Sequence, residues 1–158
     1  FIIEDYRPPK GLDHVLLLLP CSARKPYRLS KSHRKFLDAV GHSAFHEVMV
    51  TSPLGLVPRD LEETWPASHY DIPVTGEWSI DEISRTRIML NSLLENNNYH
   101  TVINHSSMSF ELEGIAYYET RAGNSATSRE ALEELRKAVS KVNSEYATKN
   151  RKHHKILL

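Results

Sequence analysis

The sequence predicts a three-layer α/β/α domain built on a mainly parallel β-sheet. Three observations lead to this prediction: a short, wholly apolar run at residues 15–19, an alternation of strand-like and helix-like segments, and two capping-box motifs. Apolar runs of this length are typical of strands buried on both faces. Strands that alternate with helices favour a parallel sheet covered by helices on both sides.

The first strand, helix and second strand are predicted within the first third of the chain. Residues 14–19 (HVLLLL) form the apolar run that indicates the first strand. Ser30 or Ser32 is predicted to cap a helix that ends near residue 40, because serine side chains accept hydrogen bonds from free helix N–H groups. Residues 46–51 (HEVMVT) predict the second strand.

The middle of the chain combines a long loop with a helix and a third strand. Residues 52–76 are rich in proline and glycine and predict an irregular loop, with one helical turn at residues 61–64. Loops of that length without secondary structure are usually functional in a compact domain. The capping box at residues 79–82 starts a helix, which ends at an asparagine run. Residues 99–104 (YHTVIN) predict the third strand.

The last third of the chain ends in a long helix. Residues 108–118 have no clear periodicity and receive no assignment. The capping box at residues 127–130 opens the helix, whose apolar residues recur at helical spacing. We predict one domain over residues 1–148 and a basic tail at residues 149–158.

The composition fits this single domain. Of 158 residues, 40% are hydrophobic and 25% are charged, which is typical of globular proteins. No apolar run approaches the ~20 residues needed to cross a bilayer, so we expect no membrane association. A single cysteine excludes an internal disulfide, and together with the missing signal peptide it predicts a cytoplasmic setting.

The positive charge is concentrated although the formal net charge is zero. Residues 24–35 contain six basic side chains and no acidic one, and the tail at residues 149–155 is also basic. Such patches attract phosphate groups locally, which favours nucleic-acid contact. The alternative is a solvated helix face and a frayed tail.

Parallel strands place their carboxyl ends at one edge, where α/β folds bind ligands. We therefore expect Cys21 with its basic loop, the segment 52–76 and residues 105–107 to converge on one rim. Cys21 is a candidate nucleophile, because neighbouring cations and a helix N-terminus favour the thiolate over the thiol. The alternative is a small buried hydrophobic residue.

Four polar residues follow Cys21 closely: Lys25, Tyr27, Ser30 and His33. Lys25 is a candidate for holding a phosphate or a nascent anion. His33 is a candidate general base, with Ser30 orienting it or binding substrate. The alternative for His33 is a surface histidine in the first turn of a helix.

The long loop provides a second group of candidates. Asp71 is suited to accept a proton or to hydrogen-bond a guanine-like base. Tyr70 is suited to stack on that base, and His69 precedes it in the same motif. Asp71 in a simple turn is the alternative. Arg59 and Glu62 are candidate phosphate and amine contacts, or else a surface ion pair. The chain has no glycine-rich phosphate loop or dinucleotide fingerprint, so we expect no cofactor and no metal.

Residues 20–33 carry the pattern Pro-Cys, three residues, Lys-Pro-Tyr, two residues, Ser, two residues, His. This pattern resembles the signature of the archaeosine synthase family, which is related to tRNA-guanine transglycosylases. Residues 51–62 (TSPLGLVPRDLE) and residues 69–76 (HYDIPVTG), which include Thr75, also resemble that family. Together the three segments cover about half of the chain.

The resemblance implies an archaeal tRNA-modifying transferase with a uracil-DNA-glycosylase-like core. Its substrate would be a deazaguanine base in the tRNA D-loop that bears a nitrile. The amine donor would be lysine, or glutamine or ammonia, and a radical SAM partner enzyme would complete archaeosine. In this chemistry the Cys21 thiolate adds to the nitrile and the amine displaces the sulfur, while Asp71 or His33 moves protons.

Members of that family are typically long, with a transglycosylase-like region before this domain and an RNA-binding domain after it. Residues 149–158 would then link to that RNA-binding domain. Two other functions stay open: a non-catalytic tRNA-binding module or short paralogue, and an enzyme acting on a glycosidic bond. The cluster around Cys21 favours catalysis, because a binding module needs no thiol.

Overall fold

The computed structural model describes residues 6–21, 30–41, 43–51, 55–61 and 79–157, with side chains described as far as residue 145. The elements are β1 (Val15–Pro20), α1 (Lys31–Val40), β2 (His46–Thr51), β3 (Gly55–Pro58), a 3-10 turn (Arg59–Leu61), α2 (Ile80–Glu95), β4 (Thr101–Asn104), β5 (Ala116–Glu119) and α3 (Arg129–Leu157). None of the helices in these ranges has the length and apolar character that a membrane crossing requires.

The sheet has five strands in the order β3-β2-β1-β4-β5. Strand β1 pairs in parallel with β2 and β4, and β4 pairs in parallel with β5. Strand β3 is antiparallel to β2 at one edge. The predicted α/β class with a mainly parallel sheet is therefore confirmed.

The apolar run in β1 forms the centre of the core. Leu17 and Leu19 pack with residues of α1 and α3, whereas Leu16 and Leu18 pack with residues of α2. All four leucines are fully buried. This explains why the strand is apolar at every position, since a central parallel strand is covered on both faces.

Serine side chains fix the starts of α1 and α2, as the sequence predicts. Ser30 Oγ accepts a hydrogen bond from the His33 N–H over 3.1 Å, and Ser79 Oγ accepts one from the Glu82 N–H over 3.1 Å. At α3 the capping hydroxyl is that of Ser128, which accepts from the Ala131 N–H, and not that of Thr127 in the predicted box. Gly41 ends α1 with a φ of +65°, a conformation that glycine adopts without steric cost.

Two strands lie where the sequence predicts none. Strand β3 falls inside the predicted loop at residues 52–76. Strand β5 begins in the unassigned segment at residues 108–118 and ends one residue beyond it. The described turn after β3 is Arg59–Leu61, so most of the predicted turn at residues 61–64 lies outside the described residues. Helix α3 continues as a helix through residues 149–157, where we predict a tail.

Candidate functional site

The carboxyl ends of β1, β2 and β4 lie side by side, because the three strands are parallel neighbours. Cys21 follows β1, Thr51 ends β2, and His105 follows β4. The predicted convergence on one edge is confirmed for Cys21 and His105. The described part of the segment 52–76 meets this edge only at Gly55, because β3 runs antiparallel to β2 and leads away from it. The chain crosses from β1 to β2 on one side and reaches β4 on the other, which is the arrangement at which α/β folds bind ligands.

Several predicted site residues lie outside the described residues. They are Lys25, Tyr27, Glu62, His69, Tyr70, Asp71 and Thr75. Their roles stay predictions from the sequence. The structure places the other four, Cys21, Ser30, His33 and Arg59.

Cys21 lies at the edge of the sheet with a partly exposed side chain. It packs against Met49 of β2 and Val57 of β3, which form a small apolar cluster. The thiol therefore has an apolar support on one side and is not enclosed in either of the two main cores. This position is compatible with attack on a substrate that approaches the rim.

His33 is fully buried, so the alternative of a surface histidine is wrong. Its Nε2 lies 2.7 Å from the carbonyl oxygen of Pro20, and its Nδ1 lies 3.1 Å from the Arg59 guanidinium. A carbonyl only accepts and a guanidinium only donates, so the proton is on Nε2 and Nδ1 accepts. Burial and the nearby Arg59 charge lower the pKa of His33 to about 3.

Arg59 connects His33 to the sheet. Its guanidinium donates to Glu47 Oε1 over 3.0 Å as well as to His33, and both side chains of this ion pair are largely buried. The chain of contacts runs from Glu47 through Arg59 and His33 to the carbonyl of Pro20. It ends at the residue before Cys21, so it fixes the backbone that carries the thiol.

Two hydroxyl groups flank this arrangement. Ser30 Oγ contacts the His33 backbone N–H and lies 3.2 Å from Ser32 Oγ, so Ser30 orients the turn that carries His33. Thr51 is 1% exposed, and its Oγ1 has no hydrogen-bond partner among the described residues. A buried hydroxyl in that situation is uncommon in proteins.

A second polar cluster follows β4 and β5. The sequence predicts the rim position of residues 105–107 but not the contribution of residues 119–124. A cavity of about 320 Å³ is lined mainly by residues 104–109 and 119–124. The signal in the sequence was the serine-rich run after Asn104, but the acidic and basic side chains that complete the cavity lie a dozen residues further on. His105 itself turns inward: Nε2 lies 2.7 Å from the Ala126 carbonyl, and burial lowers the pKa of His105.

A third polar group lies at the opposite, amino end of β2. Tyr6 donates to both carboxylate oxygens of Asp60 over 2.6 and 2.7 Å, and its hydroxyl is 2.7 Å from His46 Nε2. His46 Nδ1 is 2.6 Å from the Tyr99 hydroxyl. This group ties the segment before β1 to the sheet at a distance from the rim.

The described ranges contain no group of three or more His, Cys, Asp or Glu side chains able to hold a metal ion. The described rim residues offer a thiol, hydroxyl groups and a held imidazole.

Comparisons with known proteins give a family, several curated relatives and a similar fold. A family model described as a domain of unknown function, DUF5591, matches residues 1–139. The archaeosine synthase subunit alpha of Methanosarcina acetivorans is 45% identical over 151 residues, covering 89% of this chain and 24% of that protein. The archaeosine synthase of Haloferax volcanii is 54% identical over 104 residues, covering 66% of this chain and 17% of that protein.

Another relative and one solved structure extend the comparison. The archaeosine synthase subunit alpha of Thermoplasma acidophilum is 43% identical over 141 residues, covering 84% of this chain and 27% of that protein. The chain thus spans about a quarter or less of the curated relatives it matches. The crystal structure of AF0587, a protein of unknown function, matches with a TM-score of 0.64 and 28% identity, covering 87% of this chain and 47% of that one.

Proposed function

The chain belongs to the archaeosine synthase family, and we propose that this domain adds an amine to the nitrile of a deazaguanine base in tRNA. The observation that carries the proposal is the position of Cys21 at the carboxyl edge of the sheet, partly exposed and directly after the carbonyl that His33 holds. The names of the relatives support a role in archaeosine formation, and a reactive thiol suits a weakly electrophilic nitrile.

The proposed reaction has two steps. The Cys21 thiolate attacks the nitrile carbon, a C–S bond forms, and the nitrile nitrogen takes up a proton to give a thioimidate. The donor amine then attacks the same carbon, a C–N bond forms, and the C–S bond breaks. The amine loses a proton and the released thiolate returns to its starting state, so an amidine is produced with no change in oxidation level.

Within this reaction His33 acts as a positioning residue. Its Nε2–H is engaged with Pro20, its Nδ1 accepts from Arg59, and its pKa of about 3 keeps it neutral near pH 7. Holding the Pro20 carbonyl fixes the backbone that carries Cys21. The proton transfers are then assigned to Asp71, which the family motif supplies.

The remaining motif residues are proposed as contacts to the tRNA and the base. They are Lys25, Tyr27, Ser30, Arg59, Glu62, His69, Tyr70 and Thr75. Arg59 acts indirectly, because its guanidinium already binds His33 and Glu47. On α1, Lys31, Arg34 and Lys35 are exposed, and their charges favour approach of the phosphate backbone beside Cys21.

Mass spectrometry of nitrile-bearing tRNA tests the proposal. The chain is incubated with this tRNA and L-lysine, L-glutamine or ammonia, and the modified nucleoside is measured. We expect the wild-type chain to form an amidine with one of these donors. Cys21→Ser should retain tRNA binding and lose at least 100-fold in amidine formation, as expected when a covalent nucleophile is removed.

The control is Ser32→Ala, a substitution in the neighbouring turn that leaves the thiol in place. It should form the amidine at close to the wild-type rate. Amidine formation by Cys21→Ser at the wild-type rate would contradict the assignment of Cys21 as the nucleophile. Binding of tRNA by the wild-type chain with no product from any donor would instead support the non-catalytic binding module.

A further inference from the structure

Thr51 ends β2 at the edge of the sheet that carries Cys21, and the reaction as described gives its side chain no role. The residue is 1% exposed, and no described residue forms a hydrogen bond with its Oγ1. A valine would fill nearly the same volume without the cost of an unpaired buried hydroxyl. A native hydroxyl in this state points to a partner that forms at another stage of the reaction.

Thr51 and Cys21 lie on the same face of the sheet. Side chains alternate between the two faces of a strand, so Thr51 shares its face with Met49, two residues earlier. Cys21 packs against Met49 and against Val57, the residue that pairs with Met49 on β3. Both side chains therefore belong to the face that the thiol occupies and not to the face that α2 covers.

The strand register makes Cys21 the neighbour of Thr51 on the β1 side. Pro20 pairs with Val50, so Cys21 and Thr51 follow as the next residues of these parallel strands. Neighbouring strands lie ~4.8 Å apart, a separation at which rotation about the two Cα–Cβ bonds brings a sulfur and a hydroxyl into contact. On the β3 side Thr51 pairs with Gly55, which has no side chain to accept from it.

The other polar side chains described on this face are already engaged. Both ring nitrogens of His33 are held, one by a backbone carbonyl and one by Arg59. Glu47, four residues before Thr51 on β2, accepts from Arg59. The Cys21 sulfur is the neighbouring atom whose demand for a hydrogen bond changes during the reaction, because a thiol is a weak acceptor and a thiolate a strong one.

We propose that the Thr51 hydroxyl donates a hydrogen bond to the Cys21 thiolate and so stabilises the nucleophile. The apolar contacts of the thiol with Met49 and Val57 disfavour its ionised form. Once the thiol has lost its proton to solvent, the hydroxyl offsets this penalty, because a hydrogen bond to a charged group favours the charged state. This inference rests on the proposed function, because it assigns a group that acts on the proposed nucleophile.

Alkylation by iodoacetamide tests the inference without tRNA. Cys21 is the single cysteine of the chain, so the rate of labelling reports on this thiol alone. The rate is measured between pH 6 and 10 in the wild type and in Thr51→Val. Loss of one hydrogen bond to a charged group should raise the pKa of Cys21 by about one unit in the variant.

The two ends of the pH profile should change in opposite directions. Below the pKa of Cys21, Thr51→Val has about tenfold less thiolate, but each thiolate is about threefold more reactive because it is more basic. Alkylation should therefore slow about threefold at low pH and become about threefold faster at the high-pH plateau. A displaced or blocked thiol would instead react more slowly at every pH.

The charged groups on the same face do not titrate in this window. His33 has a pKa of about 3 and stays neutral throughout. Glu47 and Arg59 form an ion pair, and carboxylates and guanidinium groups ordinarily keep their charges between pH 6 and 10. The change of rate with pH therefore reports the ionisation of Cys21.

Two variants serve as controls. Thr51→Ser keeps a hydroxyl at the same place and should restore a profile close to that of the wild type. Thr86→Val removes a buried hydroxyl from α2 on the other face of the sheet, where it donates to the Glu82 carbonyl, and should leave the alkylation of Cys21 unchanged. Urea denaturation should show Thr51→Val to be at least as stable as the wild type, because the hydroxyl that it removes has no described partner.

The same alkylation profile in the wild type and Thr51→Val would overturn the inference. So would a uniform fall in rate at every pH, which would indicate a structural change around the thiol. A less stable Thr51→Val protein with an unchanged profile would show that the hydroxyl is satisfied by a bound water, and this result too would overturn the inference.

The outcomes separate this inference from the proposed reaction. If Thr51→Val changes the profile as expected but Cys21→Ser still forms the amidine, Thr51 stabilises the thiolate and the proposed nucleophile is wrong. If Cys21→Ser is inactive but Thr51→Val has the wild-type profile, the reaction holds and the role of Thr51 is wrong. If both proposals hold, Thr51→Val should lower kcat for amidine formation and leave the KM for nitrile-bearing tRNA unchanged.

Discussion

The Arg59 guanidinium donates a hydrogen bond to Nδ1 of His33 over 3.1 Å, and this contact fixes which nitrogen of the imidazole carries the proton. With Nδ1 engaged as an acceptor, Nε2–H is left to donate to the Pro20 carbonyl. A residue that the sequence presents as a candidate base is thereby held neutral in the wall beside Cys21.

Removing the Arg59 charge should raise the pKa of His33. Burial is the larger cause of the low pKa and the Arg59 charge the second, so Arg59→Gln should move the pKa above about 3 but not to the usual value near 6.5. NMR titration of the histidine ring measures it. The control Arg59→Gln/Glu47→Gln removes the buried carboxylate that the single variant leaves without its arginine.

An unchanged His33 pKa in both variants would contradict the assigned influence of Arg59. A value near 6.5 in the single variant would show that Arg59, and not burial, is the dominant cause. Either result would require a different account of how the imidazole is held.

The low pKa of His33 predicts a loss of stability in acid. Between pH 6.5 and about 3 the unfolded chain binds a proton at this residue and the folded chain does not, so the free energy of unfolding falls as pH falls. The share of His33 is about 2–3 kcal/mol between pH 7 and 4.5. Urea denaturation at several pH values measures this change.

The non-titrating variant His33→Gln is the control for the other acid-sensitive groups, including His105, whose pKa burial also lowers. It should be less stable at pH 7 but should lose less on acidification than the wild type. Parallel pH profiles for the two proteins would argue against a neutral His33 in the folded state.

Gly55 requires a conformation and a space that only glycine provides. Its φ is +84°, and a Cβ there would contact the sulfur of Met89 too closely. Gly55→Ala should therefore combine backbone strain with displacement of the flexible Met89 side chain and cost about 2–3 kcal/mol of the free energy of unfolding. Chemical denaturation provides the measurement.

Gly123 is the matched control, because its φ is +81° but nothing lies within 4 Å of the added Cβ. Gly123→Ala should cost only the backbone strain, about 1–2 kcal/mol. If the two substitutions cost the same, the contact between Gly55 and Met89 contributes nothing.

Tyr6 anchors the segment before β1 through its hydroxyl. Tyr6→Phe removes the donor to Asp60 and the contact with His46, at an expected cost of about 1–3 kcal/mol in unfolding free energy. Although burial alone would raise it, the pKa of Asp60 is held below its usual value by hydrogen bonds from His46 and Tyr6, so it should rise in the variant.

Tyr118→Phe is the corresponding control. Its ring packs on the core and beneath Lys141, and no described residue hydrogen-bonds its hydroxyl. Stability should change by less than about 0.5 kcal/mol. A Tyr6→Phe protein as stable as this control would show that the hydroxyl network at the amino end of β2 is not stabilising.

The central strands and the three helices could be predicted from the sequence because their signals are local. The apolar run of β1 and the serine caps of α1 and α2 are readable within a few residues. Strand β3 was missed because Pro58 and Gly55 are typical of loops, yet both are tolerated in an edge strand. Strand β5 was missed because its four residues, AYYE, do not alternate between apolar and polar side chains.

The candidate site was predictable in position and not in detail. The edge that carries Cys21 follows from parallel topology alone. The burial of His33 depends on Arg59, 26 residues later, and the β4–β5 cavity combines a strand end with a turn 15 or more residues away. Contacts between segments so far apart leave no local pattern in the sequence.

Mass analysis of the peptide that contains Cys21 shows whether this thiol is the nucleophile. The chain is incubated with nitrile-bearing tRNA without any amine, and then digested with nuclease and protease. We predict a nucleotide adduct on Cys21 that disappears as amidine forms once the donor is added. Amidine formation with Cys21 unmodified throughout, or an adduct on a different residue, would contradict it.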